Sequence, residues 1–241
     1  MIVVKKGVDV SKVDFQQGAV ILIDKPLEWT SFDVVNKLRF ALRKKYNQKK
    51  FKVGHNGTLD PLASGLLMIF TGKYTKRIPQ EENHDKRYIG EVKLGATTET
   101  LDREKSEIDI KDISHINSQL IEEKISRFKG EMEQVIPNYS ATKVDGVPMY
   151  RLARQNKDFK PKTKRVFYHH VKVLNYDLPI VAVDILCGKG TYIRAFARDL
   201  GAELNTSAYL YSLRRTEIST YSVEDALDVH EVFNTIYPDS N

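Results

Sequence analysis

The 241-residue sequence lacks the patterns that mark several large classes of protein. Its single cysteine, Cys187, excludes an intrachain disulfide and a multi-cysteine zinc site. No apolar run approaches the roughly 18–20 residues that a membrane span needs. Met1-Ile2-Val3-Val4-Lys5-Lys6 does not have the basic-then-apolar order of a secretion signal. The six histidines form no His-Glu-x-x-His or other ligand spacing, so no metal is expected. There is no Gly-x-Ser-x-Gly nucleophile elbow. Gly188-Lys189-Gly190-Thr191 is not a phosphate-binding P-loop, because glycine follows the lysine and the leading glycine is missing. With 41% hydrophobic and 29% charged residues, the remaining class is a soluble, disulfide-free cytoplasmic protein.

Charge is present but unevenly spread. Lys and Arg number 38 against 32 Asp and Glu, a formal charge of +6. From Thr216 to Asn241 there are six acids and no Lys or Arg, so every base lies in the first 215 residues. Arg39–Lys52 holds seven bases and no acid; Arg151–Arg165 holds seven bases and only Asp158. One such cluster is ordinarily a solvated face. Two of them, interleaved with Phe40, Tyr46, Phe51, Tyr150, Phe159, Phe167 and Tyr168, suit a polyanion whose phosphates draw the bases and whose unpaired nucleobases stack on rings. The same aromatics equally suit a core.

Ala19–Ile23 is a β-branched run that stops at Asp24-Lys25-Pro26, a strand and a turn. Thr30-Ser31-Phe32-Asp33 fits a capping box, after which Phe32, Val35, Leu38 and Leu42 repeat at helical spacing up to Arg43-Lys44-Lys45. A loop over 54–61 leads into the apolar strand Leu62–Phe70. In Lys86–Leu94, Tyr88, Gly90, Val92 and Leu94 share one face of a strand. Helices are expected over Ile113–Phe128, Thr191–Leu204 and Val223–Ile236, and strands over Gly130–Ile136, Val166–Leu174, Ile180–Leu186 and Tyr209–Ile218. Pro137–Arg165 reads as an irregular basic segment. Strands outnumber what regular βαβ crossovers use, so the fold class is α+β with a mixed, largely antiparallel sheet flanked by helices.

The most unusual segment is Gly54-His55-Asn56-Gly57-Thr58-Leu59-Asp60-Pro61. Its glycines allow tight backbone geometry, and Pro61 pushes Asp60 out of the α region. Taken alone this is either an ordinary turn or a stiff seat for a carboxylate. Asp60 has no acidic neighbour in sequence for two-carboxylate glycosidase chemistry. Arg194 falls at the edge of the stripe Ile193, Phe196, Ala197, Leu200 and Leu204, where it either reaches water or meets a buried carboxylate.

Together the motifs are familiar. Asp24-Lys25-Pro26 with Thr30-Ser31, then Gly54–Gly65, resembles the bacterial tRNA pseudouridine(55) synthase family, the B-type or TruB synthases. The likeness continues in order through Lys86-Arg87-Tyr88, Tyr139–Lys143 with Gly146, Tyr150 with Ala153-Arg154, Lys189–Arg194, Asp199-Leu200-Gly201 and Leu213-Arg214-Arg215. It covers about residues 18–230. The resemblance implies the pseudouridine synthase catalytic fold: one catalytic domain over 1–241 with an inserted T-arm-binding segment at about 137–165. It also implies isomerisation of uridine in the T-loop of tRNA by base flipping, with no cofactor.

Carried over by position, the resemblance makes Asp60 the nucleophile and Arg194 its arginine. Tyr88 becomes the tyrosine that stacks on the base and is a candidate to remove the C5 proton. Tyr192 and Leu213 are implied as pocket-lining residues, His55 as a T-loop contact, and Lys25 as a structural or RNA-side contact. Lys44, Lys45, Lys162 and Lys164 are the bases expected to meet phosphate. The expected partner is tRNA, with no membrane, no obligatory protein partner and a monomeric state. Competing readings are a guide-RNA-dependent pseudouridine synthase and a non-catalytic tRNA-binding or folding factor. The sequence departs from the family in three places: it has no glycine near Glu28-Trp29, Asn56 replaces the usual Thr or Ala, and Asn156 stands where glycine commonly follows. No C-terminal PUA-type domain is expected, and the acidic tail is not expected to replace one.

Overall fold

The computed structural model describes residues 2–238, so Asp239 of the acidic tail lies outside the described residues. In chain order the strands and helices are β1 (Val3–Val4), β2 (Val20–Lys25), α1 (Ser31–Lys45), β3 (Val53–His55), β4 (Ala63–Thr71), α2 (Ile78–Glu81) and β5 (Lys86–Leu94). There follow α3 (Ser118–Ile125), β6 (Gly130–Val135), β7 (Lys143–Val144), β8 (Val147–Pro148), α4 (Met149–Arg154), β9 (Thr163–Asp177) and β10 (Ile180–Cys187). The chain closes with α5 (Ile193–Glu203), β11 (Ala208–Ile218), β12 (Tyr221–Ser222), β13 (Leu227–Asp228) and α6 (Val229–Ile236). The class is α+β with parallel and antiparallel pairings, as the sequence predicts. The chain forms two units, one of residues 1–86 and 214–241, the other of residues 87–213.

In the first unit β2 pairs antiparallel with β4 (Val20 opposite Phe70, Lys25 opposite Gly65) and parallel with β1 and β13. β3 pairs antiparallel with β4, placing His55 opposite Ile69. Ile21, Ile23, Leu67 and Ile69 point to one side, against α1 and α6. Val20, Leu22, Leu66, Met68 and Phe70 point to the other, against Ile218, Val223 and Ala226. Both faces are covered, so the strands read as unbroken apolar runs.

Helix α1 begins in the predicted capping box: Thr30 Oγ1 accepts the Asp33 N–H (3.0 Å) and Asp33 accepts the Thr30 N–H (2.8 Å). Its inward face is Val34, Val35, Leu38, Ala41 and Leu42. Phe32, expected on that stripe, is 59% exposed and lies under the Arg39 guanidinium. The expected helix Val223–Ile236 is interrupted. A short turn leads into β13, whose last residue Asp228 caps α6 by accepting the N–H groups of His230 (2.7 Å) and Glu231 (3.0 Å).

The second unit has the strand order β11, β5, β10, β9, β6, with residues 208–213 of β11 belonging to it. β5 alternates buried and half-buried residues as its sequence does. Phe128, Tyr168 and Phe196 form a ring cluster between β9 and α5, with centroids 4.8–6.0 Å apart. The helix expected from Ile113 starts only at Ser118, because Asn117 caps it through the Leu120 N–H (3.0 Å). The segment 137–165 is more ordered than its composition suggests. Asp145 and Gly146, at φ 49° and 81°, turn the β7–β8 hairpin, and α4 follows directly.

Candidate active site

Asp60 occupies the loop between β3 and β4, half-buried, on a backbone fixed at several points within the first unit. Ser31 Oγ, at the start of α1, accepts the Leu59 N–H (2.8 Å) and donates to the Leu59 carbonyl (3.1 Å). The Glu28 N–H donates to the Pro61 carbonyl (2.8 Å). The Ala63 N–H closes a turn on the Asp60 carbonyl (3.0 Å), with Pro61 at the position where its fixed φ is favoured. Arg215, only 1% exposed, donates from Nε to the Leu66 carbonyl (2.7 Å) and from Nη2 to that of Gly57 (3.2 Å). Gly65 permits this approach, since a Cβ there would collide with the Arg215 backbone.

Two further residues of this unit surround the loop chemically. Lys25 is fully buried and its ammonium donates to the carbonyls of Pro26 (2.8 Å) and Trp29 (2.6 Å). Burial pulls its pKa down to about 8, and the negative charge of Asp60 is the largest influence holding it up. His55 accepts the Gly57 N–H on Nδ1 (3.2 Å), which leaves the proton of the neutral ring on Nε2. Burial, with the Arg215 charge beside it, lowers its proton affinity and favours that neutral form. Asn56 is fully buried, giving its amide N–H to Met68 Sδ and the Glu81 carbonyl (3.3 Å each); its Oδ1 accepts no hydrogen bond among the described residues.

In the second unit Tyr88 is 7% exposed on the inward face of β5. Leu213, on β11, lies 3.3 Å from where a Cβ would stand at Gly90, two positions along that face from Tyr88. Arg194, in the first turn of α5, is 6% exposed and donates to the carbonyls of Thr100 (2.8 Å) and Tyr139 (3.0 Å). Its Nε lies 3.7 Å from the buried carboxylate of Asp102, which in turn accepts from Thr100 Oγ1 (2.6 Å) and the Glu104 N–H (3.0 Å). Of the two fates the sequence leaves open for Arg194, the interior one is realised.

Tyr192 is held by its backbone and by its hydroxyl. The buried Gln134 amide accepts the Tyr192 N–H (2.9 Å) and donates to its carbonyl (3.1 Å), and the phenol meets Thr142 Oγ1 (3.1 Å). Lys164 lies over the Tyr192 ring, 4.8 Å from its centroid. Lys162 is exposed and donates to the Lys143 carbonyl (2.6 Å). Lys44 and Lys45, exposed at the end of α1, lie over Phe40 and Phe15.

Sequence reading passes over Ser31, Asp102, Gln134 and Arg215 as site residues. Gln134 leaves a trace, a polar residue on the inward face of β6, whereas the carbonyl partners of Arg215 have no side-chain signature. Among the described residues no group of three or more His, Cys, Asp or Glu is placed to hold a metal, and no helix is long and apolar enough to cross a membrane.

The arrangement of strands defines the class first. A chain of a Cbf5–Nop10–Gar1 complex superposes with a TM-score of 0.67 at 24% identity, covering 95% of this chain and 63% of that one. A chain of the archaeal box H/ACA Nop10–Cbf5 complex gives 0.64 at 21%, covering 95% and 58%. At these identities the likeness establishes the pseudouridine synthase fold.

Residues 43–193 match the model of the TruB family pseudouridylate synthase N-terminal domain, a stretch that takes in His55, Asp60, Tyr88, Lys164 and Tyr192. The tRNA pseudouridine synthase B of Phocaeicola vulgatus is 48% identical over 90% of this chain and 92% of its own length. That of Flavobacterium johnsoniae is 43% identical over 90% and 95%, and that of Chlorobaculum tepidum 41% over 92% of each. The chain belongs to the TruB family of pseudouridylate synthases.

Proposed function

We propose that this chain is a tRNA pseudouridine synthase that isomerises uridine 55 of the T-loop, with Asp60 as nucleophile. The observation that carries the reading is the match of about nine-tenths of the chain to relatives of that name at 41–48% identity. It is supported by the seat of Asp60: the aspartate singled out by the family motif is the one whose loop is pinned by Ser31, Glu28 and Arg215. A pinned backbone holds a reacting carboxylate near its working position and so lowers the entropic part of the barrier.

The target nucleotide first leaves its stack, at a cost of a few kcal/mol that a loop reduces. Asp60 attacks the nucleotide, a covalent strategy open to carboxylates. The C1′–N1 bond breaks, the uracil turns, C1′ bonds to C5, the bond to Asp60 is released with its electron pair returning to the carboxylate, the C5 proton leaves and N1 is left protonated. Nothing is gained or lost, which is why the reading requires no cofactor. Tyr88 is the proposed stacking residue and candidate acceptor of the C5 proton. Arg194 is the arginine assigned to orient the nucleophile, steadied in turn by Asp102. His55, with its Nε2 proton, is suited to donate to RNA, and Leu213 and Tyr192 to line the pocket.

Asp60→Asn is expected to abolish pseudouridine formation in a T-arm hairpin while leaving hairpin affinity within a few-fold. Conversion at the wild-type rate would overturn the assignment. The purified chain alone, as a monomer, is expected to modify the bare hairpin; inactivity there, with activity restored by protein or guide-RNA partners, would favour the guide-dependent reading instead.

A further inference from the structure

Three lysines of this protein are drawn out of full solvent in contrasting ways. Lys25 satisfies its ammonium with the Pro26 and Trp29 carbonyls, and Lys86 with those of Glu82 (3.2 Å) and His84 (2.6 Å). Lys164, half-buried at the start of β9, makes no hydrogen bond and no ion pair among the described residues. A cation shielded from water and left without a counter-charge is costly unless something else meets it. One face of the ammonium is met by the Tyr192 ring, a contact worth roughly 0.5–2 kcal/mol that uses none of its three N–H donors. Gly190, at φ 75°, makes room for it, because a Cβ there would collide with the ammonium. Burial lowers its proton affinity, and no neighbouring acid offsets that effect.

We infer that Lys164 is a specific phosphate-binding residue of the substrate pocket, taking one of the two phosphodiesters that flank the target uridine while Tyr192 lines the base side. This rests on the proposed reaction and on Tyr192 being a pocket residue, and it sets Lys164 apart from Lys162. The exposed Lys162, bonded to Lys143, is an ordinary contributor to the basic surface. A phosphate arriving at Lys164 completes the missing counter-charge in a partly desolvated place, where the attraction is stronger than at the surface. Because Gln134 and Thr142 fix Tyr192, a phosphate on Lys164 is held in a set relation to the ring. In this way Lys164 positions the nucleotide.

The test uses T-arm hairpins carrying a single neutral methylphosphonate at successive positions, with affinity read by fluorescence anisotropy and conversion by single-turnover kinetics. Wild-type protein is expected to lose about tenfold in affinity at one of the two linkages flanking the target uridine, a typical value for a lost charge-assisted contact. Lys164→Met should show the same loss on the unmodified hairpin and no further loss with that one methylphosphonate. Lys162→Met should lose less than about threefold, alike for every hairpin. Additive losses for Lys164→Met at both flanking linkages, or unchanged affinity on the unmodified hairpin, would overturn the inference. A wild-type protein that shows the coupling in affinity but converts no uridine would instead overturn the proposed reaction.

Discussion

Arg215 in the first unit and Arg87 in the second both carry a guanidinium toward the interior, but different partners receive it. Arg215 gives its hydrogen bonds to the carbonyls of Leu66 and Gly57 and, like Lys25, has no ion pair among the described residues. Arg87 makes a two-pronged bond to the buried Asp184 carboxylate (2.8 and 2.6 Å), with His170 3.6 Å away. A carbonyl satisfies the donors without cancelling the charge; a carboxylate does both. The uncancelled Arg215 charge therefore adds to the effect of burial, which is the larger, in lowering the proton affinities of His55 and Lys25, while at Lys25 the Asp60 charge acts the other way. Acids close ion pairs in both units, Asp24 with Arg214 in the first and Asp102 with Arg194 in the second, so the contrast is between Arg215 and Arg87 themselves.

The sharpest way to break that contrast is to remove one cation and one acid and compare their pH dependence. Arg215→Gln deprives two carbonyls of charged donors worth roughly 1.5–3 kcal/mol each, so a loss of about 3 kcal/mol or more is expected. The Arg215 charge disfavours protonation of His55, so the loss in urea midpoint stability should be constant above the histidine range and shrink as pH falls through it. A loss that grew with pH through the carboxylate range would instead reveal an acidic partner of Arg215.

Asp184→Asn should cost less, about 1–3 kcal/mol, because the Arg87 side chain left behind is 38% exposed. Its pH dependence follows from sign. Bonding to Arg87 holds the Asp184 carboxyl below its ordinary 3.8, so the pair's stabilisation is complete above that value and is lost as pH falls through the folded-state pKa. Wild type and Asp184→Asn should differ fully at pH 6 and converge in acid. A gap that persists at pH 2 would assign the effect to packing.

The charge contrast also predicts a shift at Lys25. Asp60 raises the proton affinity of this lysine against the effect of burial. Asp60→Asn should therefore move the Lys25 titration below about 8, a displacement readable from its Cε resonance. An upward or absent shift would show that the two charges do not sense one another.

How far the sequence discloses all this depends on the partner groups. The β2 and β4 strands are legible because an unbroken apolar run demands cover on both faces, and β5 because alternation demands it on one. Asp145-Gly146 is a hairpin signal that reading 137–165 as an irregular basic segment passes over. Asp60, Tyr88 and Arg194 stand out only through ordered motifs spread over the chain. Arg215 and Lys25 act through backbone carbonyls, which every residue carries, so no spacing of side chains reveals their partners. Phe32 shows the converse error, since helical spacing alone placed it inside while the actual stripe centres on Val34, Leu38 and Ala41.

The smallest expected effect concerns two departures from the family, one in each unit. Glu28 adopts φ 66° and Asn156 φ 49°, the left-handed region where the family's glycines carry no Cβ penalty. Asparagine enters that region readily, whereas a glutamate there costs about 1–2 kcal/mol. Glu28→Gly should therefore raise stability by about 1 kcal/mol, or roughly 2–4 °C in Tm for a chain of this size. Asn156→Gly should change it by no more than a few tenths. Because the Glu28 N–H holds the Pro61 carbonyl next to Asp60, the relaxed glycine is expected to keep that bond and leave turnover within about twofold. A stabilised Glu28→Gly protein with a large loss of turnover would mean that the strained glutamate, and not its backbone N–H alone, sets the position of the catalytic loop.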